Sequence, residues 1–200
     1  LHRGYASRQD VLIRAVRQSK YADRIQLYFA GTGPWEKRLR RLGDSLPHPP
    51  VFGYYNRKDL IRLIRSCNLY VHASDVEIEG ISCMEAFSCG LVPVISNSRR
   101  SATRQFALSE NNLFEAGDPA SLAKRIDYWL EDETRRRAAG EAYARYGREY
   151  ALRRSVRQME RVYEALRGQR KNNYCHGLLF KFFSGLFYEF IAIPILFVWT

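Results

Sequence analysis

Two glutamates eight positions apart, Glu77 and Glu85, flank a turn in the stretch Ser74-Asp75-Val76-Glu77-Ile78-Glu79-Gly80-Ile81-Ser82-Cys83-Met84-Glu85. Apolar runs precede it (residues 69–73) and follow it (residues 92–95), so the segment reads as strand, acidic loop, helix, Gly turn, strand. A helix opening near Gly80 leaves the backbone N–H groups from about Gly80 to Ser82 without intrahelical partners. Those donors and the helix dipole favour an anion such as phosphate. A carboxylate is repelled by phosphate. Its work beside one is to accept hydrogen bonds from neutral hydroxyls, such as those of a ribose or hexose. Phosphate on N–H groups and sugar on carboxylates describes a nucleotide-sugar site.

The elements that must hold these residues alternate along the chain. Residues 10–20 carry Val11, Leu12, Ala15 and Val16 at helical spacing. Residues 25–30 form a short apolar run closed by Gly31-Thr32-Gly33, as a buried strand would be. The spacing predicts a helix over 34–46, a strand over 51–54, and a helix over 57–66 capped by Asn56. Beyond residue 95 come a short helix over 101–107, a strand over 113–116, and a helix to about residue 130 opened by Asp118-Pro119. Amphipathic helices over 135–150 and 152–166 complete the pattern. Strand–helix alternation of this kind implies an α/β fold, a Rossmann-like parallel sheet with helices on both faces. Ligands in such sheets bind outside the carboxyl ends of the strands, where Gly31, Gly33, Gly53 and the 75–80 loop all fall.

The acidic stretch resembles the E-x7-E segment of retaining GT-B glycosyltransferases, the family 4 (group 1) enzymes. Residues 25–34 resemble that family's strand and G-x-G-P loop, residues 51–54 its next strand, residues 68–74 the strand before the acidic loop, and Gly117-Asp118-Pro119 a later helix start. The resemblance spans roughly residues 8–166. It implies the C-terminal, donor-binding half of a GT-B fold, with the N-terminal GT-B domain missing and the chain a fragment inactive alone. It also implies that a hexose moves from a nucleotide-diphosphate sugar, UDP-sugar foremost, to an acceptor with retention, and that no further cofactor and no metal is needed. By position, Glu85 would hydrogen-bond the ribose hydroxyls and Glu77, the catalytic candidate, the hydroxyls of the donor sugar. Glu79 precedes Gly80 as the family's first acid often does, but lies six positions before Glu85, so it ranks second for that role. Gly80 and Ile81 would offer N–H groups to the diphosphate or sugar, and Gly31 and Gly33 would allow close backbone approach. The family's Arg and Lys diphosphate clamp has no clear Lys here, leaving Arg3 and Arg8 as its substitutes.

The formal net charge is +11 over 200 residues, concentrated in helical stretches such as Arg135 to Arg137 and Arg153 to Arg167. This favours contact with polyanions or anionic surfaces. No zinc-finger, RNP or helix-turn-helix pattern accompanies it, which argues against specific nucleic-acid binding. Four cysteines without C-x2-C spacing read as structural thiols. The domain reading is 1–166 for the nucleotide-sugar domain, 167–173 for a basic linker, and 174–200 for an apolar segment. That segment is expected to be a membrane-associated helix, with the start of a truncated further domain as the other reading. It places the protein at the cytoplasmic face of a membrane, with a membrane lipid or lipid-linked saccharide as acceptor. The competing function is a non-catalytic membrane-docking module that keeps the glycosyltransferase shape.

Overall fold

The computed structural model describes residues 7–169 and the backbone of 193–198. The chain divides into two units, Leu1–Gly147 with Phe190–Thr200, and Arg148–Glu189. The first holds helices α1 (Gln9–Gln18), α2 (Glu36–Gly43), α3 (Arg57–Ser66), α4 (Ile81–Ser88), α5 (Pro119–Glu131) and α6 (Glu133–Gly147). Its strands are β1 (Ile25–Ala30), β2 (Val51–Gly53), β3 (Leu69–His72), β4 (Val92–Ser96), β5 (Leu113–Phe114) and β6 (Ile193–Val198). The described part of the second unit is a 3-10 turn, Arg148–Tyr150, and helix α7, Leu152–Gln169.

The six strands form one sheet in the order β2-β1-β6-β3-β4-β5. The pairs β1–β2, β3–β4 and β4–β5 are parallel, as the alternation of strand and helix requires. Every residue of β3 and β4 is buried, so both faces of the sheet centre are covered. On α1 the side chains of Val11, Leu12, Ile13, Ala15 and Val16 are fully buried, and Phe29 stacks on Phe52 with ring centroids 4.8 Å apart.

Local chemistry sets the helix starts. Asn56 Oδ1 accepts from the Asp59 N–H at 3.0 Å to open α3, and Asp118 Oδ1 accepts from the Ala120 N–H at 2.8 Å to open α5 with Pro119 at its first position. The 34–46 helix is shorter than its pattern, Glu36–Gly43, because the chain turns through Pro34 and Trp35 first. The 101–107 segment is a 3-10 helix, Ala102–Phe106.

The tail departs from expectation. Residues 193–198 are a strand lying antiparallel between β1 and β3, which makes the sheet mixed. The run Ile-Pro-Ile-Leu-Phe-Val is β-branched and aromatic and only six residues long, which suits a buried strand and is far too short to span a bilayer. Pro194 has no N–H to give; it lies beyond the β3–β6 register, which covers only Ile195 and Leu196. Among the described residues no helix is long and apolar enough to cross a membrane. The expected membrane-associated helix is therefore withdrawn, and with it the membrane partner and the location at the cytoplasmic face of a membrane. Residues 174–192 of that reading lie outside the described residues, as does Arg3.

Candidate functional site

The site is built where β1 and β3 end. Tyr28 of β1 and Tyr70 of β3 both pair with Ile195 of β6, so the two strands run level and their carboxyl ends share one edge of the sheet. The loops that follow, Gly31 to Gly33 and residues 73–80, leave that edge about 10 Å apart, two strand spacings. Gly31 has φ 136° and donates its N–H to Gly53 O at 2.7 Å, tying the β1 and β2 ends together. At Gly33 a Cβ would meet open space, so that backbone is accessible.

The acidic loop is held by a second strand end. Glu77 donates its N–H to Arg100 O at 3.3 Å and accepts from the Ala102 N–H at 2.8 Å, an isolated parallel bridge with Ser101 in the segment after β4. Ser98 Oγ donates to Asp75 O at 2.6 Å. Gly80 then turns the chain into α4 with φ 70°, a left-handed conformation. A Cβ there would run into the Thr103 methyl, with a Phe106 ring carbon 3.1 Å away. Both backbone and space therefore require glycine.

Helix α4 is anchored by Phe87, whose buried ring lies 5.4 Å from Phe106, 5.8 Å from Tyr143 and 5.5 Å from Tyr146. Tyr143 locks that cluster, accepting from the Leu108 N–H and donating to Phe106 O. The amino end of α4 is thus fixed while remaining open. Cys83 and Met84 donate to Gly80 O, which leaves the N–H groups of Ile81 and Ser82 without a helical acceptor. Glu85 is exposed one turn after exposed Ile81, on the same helix face. Helical Cα–Cβ bonds tilt toward the amino end, so the Glu85 side chain leaves the helix toward that end.

The spacing ranks Glu77 before Glu79, and their surroundings differ. Glu77 Oε1 accepts from the N–H groups of Ile78 (3.0 Å) and Glu79 (3.4 Å), and its side chain is 14% exposed. Glu79 is exposed. Beneath Glu77 sits His72, buried, with Nε2 3.7 Å from Glu77 Oε2. Burial pushes the His72 pKa down and the Glu77 charge only partly opposes it, so the imidazole is neutral at neutral pH. Tyr70 OH lies 3.1 Å from His72 Nδ1 and 2.9 Å from Ser82 Oγ. Sequence reasoning missed this buried chain. Its signal was Tyr70-x-His72, two polar groups on one face of an otherwise apolar strand.

Arg8 has two carboxylate partners. Its guanidinium meets Asp75 Oδ2 at 2.6 Å and Asp10 Oδ1 at 3.3 Å. Burial works against its charge, but the Asp75 hydrogen bond and the two carboxylate charges outweigh it and the pKa rises. It therefore braces the loop after β3 against the start of α1. Two surface hollows, of about 280 Å³ beside Gly90 and Gly140 and about 230 Å³ beside Tyr21 and Arg136, have neither glutamate in their walls.

A mixed sheet with a parallel framework and flanking helices, a Gly turn into an anchored helix, and two glutamates about that turn make a Rossmann-like α/β domain. The model for glycosyl transferases group 1 matches residues 4–146, and the chain belongs to that family, whose members have the GT-B fold. The catalytic domain of cholesterol-α-glucosyltransferase from Helicobacter pylori is 44% identical, with a TM-score of 0.71 over 74% of this chain and 93% of that one. The GDP-mannose-dependent monoacylated α-(1-6)-phosphatidylinositol monomannoside mannosyltransferase of Corynebacterium glutamicum is 31% identical over 143 residues, 67% of this chain. The chain spans 37% of the length of that curated relative. HepE of Anabaena, solved with UDP and glucose, shares the fold at 18% identity with a TM-score of 0.64, over 84% of this chain and 47% of its own.

Proposed function

We propose that this chain is the donor-binding part of a retaining glycosyltransferase that moves a hexose from a UDP-sugar to a lipid hydroxyl. The observation that carries the reading is the Glu77 carboxylate, held by its own loop beside the open amino end of α4. In this assignment the free N–H groups at Ile81 and Ser82 take the diphosphate, Glu85 the ribose hydroxyls and Glu77 a hydroxyl of the hexose. Gly31 and Gly33 give the nucleotide access to the backbone. The acceptor oxygen bonds to the sugar C1 on the face that the diphosphate leaves, and the helix terminus stabilises the charge growing on the departing phosphate. Arg8, engaged by Asp75, acts through the loop rather than on phosphate.

Two features support a lipid acceptor. Two relatives that share 30% identity or more are named for a sterol and for an acylated phosphatidylinositol mannoside. The rim of the site is also apolar: Val76, Ile78 and Ile81 are 45%, 85% and 56% exposed. The name of the 44% identical relative favours glucose as the sugar. The reading is tested by incubating the full-length protein with UDP-glucose or GDP-mannose and, separately, detergent-dispersed cholesterol and phosphatidylinositol. An α-linked lipid hexoside from UDP-glucose is the expected product by NMR. Absence of any glycolipid, together with absence of nucleotide binding, would overturn it.

A further inference from the structure

We propose that His72 is a positioning residue for Glu77, donating from Nε2–H as the last link of a chain that runs Ser82, Tyr70, His72, Glu77. The proposal deepens the donor-site reading above and rests on it. Its starting point is an orphan: His72 Nε2 is buried, has no hydrogen-bond partner, and is aimed at a carboxylate oxygen 3.7 Å away. A buried imidazole nitrogen without a partner is costly, so the site requires an explanation.

The direction of the protons follows from the neighbours. A neutral imidazole carries one N–H. Placed on Nδ1, it would leave the Nε2 lone pair facing the Glu77 carboxylate, a contact of two acceptors. Placed on Nε2, it faces that carboxylate as a donor, and Nδ1 accepts from Tyr70 OH at 3.1 Å. Tyr70, fully buried and with its pKa raised, remains a phenol and can accept in turn from Ser82 Oγ at 2.9 Å. Tyr70 and His72 then each give one proton and take one, linking the first turn of α4 to the acidic loop.

At 3.7 Å the final link is longer than a hydrogen bond, and contacts of this kind tighten when substrate engages. The function follows from the division of labour on Glu77. Its Oε1 is held by the Ile78 and Glu79 N–H groups, and a neutral donor on Oε2 fixes the second oxygen without neutralising the charge. The carboxylate then accepts a sugar hydroxyl in one orientation. Ser82 lies beside the N–H groups assigned to the diphosphate, so the chain also fixes the sugar subsite relative to the phosphate subsite.

The test has a ligand-free arm and a binding arm. Long-range 15N–1H correlation of histidine in the wild-type protein at neutral pH should show His72 protonated on Nε2 and bare on Nδ1. A proton on Nδ1 would overturn the proposal whatever the protein binds. In the binding arm, UDP and UDP-glucose are titrated into wild type, His72→Gln, His72→Asn and Tyr70→Phe. Gln places an amide N–H near the Nε2 position; Asn does not reach it. UDP affinity should be equal in all four. The extra affinity for UDP-glucose over UDP should survive in His72→Gln and fall about tenfold or more in His72→Asn. Tyr70→Phe should fall with it. Wild-type affinity for UDP-glucose in His72→Asn would overturn the positioning role while leaving the donor site intact. Failure of wild type to bind either nucleotide would overturn the donor-site reading itself, and the tautomer would still decide whether His72 addresses Glu77.

Discussion

Gly80→Ala perturbs the turn on which the whole site depends, and its cost can be worked from two separate terms. The residue has φ 70°, and a side chain in the left-handed region costs about 1–2 kcal/mol. The new Cβ also collides with the Thr103 methyl and lies 3.1 Å from a Phe106 ring carbon, and overpacking of this kind costs about 1–3 kcal/mol. At about 2–4 °C per kcal/mol for a chain of this size, the melting temperature should fall by on the order of 10 °C. Thermal unfolding followed by circular dichroism measures this. The terms separate with Thr103→Ser, which removes the colliding methyl but keeps the hydroxyl that lies 2.7 Å from Ser101 Oγ. Measured against Thr103→Ser alone, Gly80→Ala should then cost less, but not nothing, because the backbone strain and the Phe106 contact remain. An unchanged melting temperature in Gly80→Ala, or complete rescue by Thr103→Ser, would refute the reasoning.

Two further predictions concern groups around the same loop. Burial lowers the His72 pKa from its ordinary 6.5 to about 4, so the folded protein resists a proton that the unfolded chain takes up. The stability due to its neutral form is complete above about pH 6.5 and is lost as pH falls toward 4. Urea unfolding at pH 7.5 and 4.5 should show this loss in wild type and a smaller one in His72→Gln. Arg8→Ala leaves Asp75 without its guanidinium partner, and Asp75 Oδ1 has none already. The variant should lose about 1–3 kcal/mol of stability, read by urea unfolding, while calorimetry shows its affinity for UDP unchanged.

What the sequence made legible was local. Asn56 and Asp118-Pro119 mark helix starts because a side-chain oxygen two or three residues from a free N–H is a property of the chain segment itself. The acidic loop and α4 were readable for the same reason, through Gly80 and the apolar runs on either side. Strand β6 was not. Its partners, β1 and β3, lie well over a hundred residues away, and a six-residue apolar run has no periodicity that separates strand from helix. Spacing ranked Glu77 before Glu79, whereas the hold of the Ile78 and Glu79 N–H groups on the Glu77 carboxylate is visible only in the folded loop. Arg8 carried a similar ambiguity: its charge was visible, whereas its engagement by Asp75 depends on a contact across 67 positions.

The central claim is that Glu77 and Glu85 serve one nucleotide-sugar site with different parts of the ligand, and calorimetric titration of UDP and UDP-glucose tests it most directly. Glu85→Ala should weaken both ligands by roughly ten- to a hundred-fold, the worth of a hydrogen bond to a charged group. Glu77→Ala should leave UDP unaffected and remove the additional affinity for UDP-glucose. Equal binding of both ligands by wild type and both variants would contradict the account.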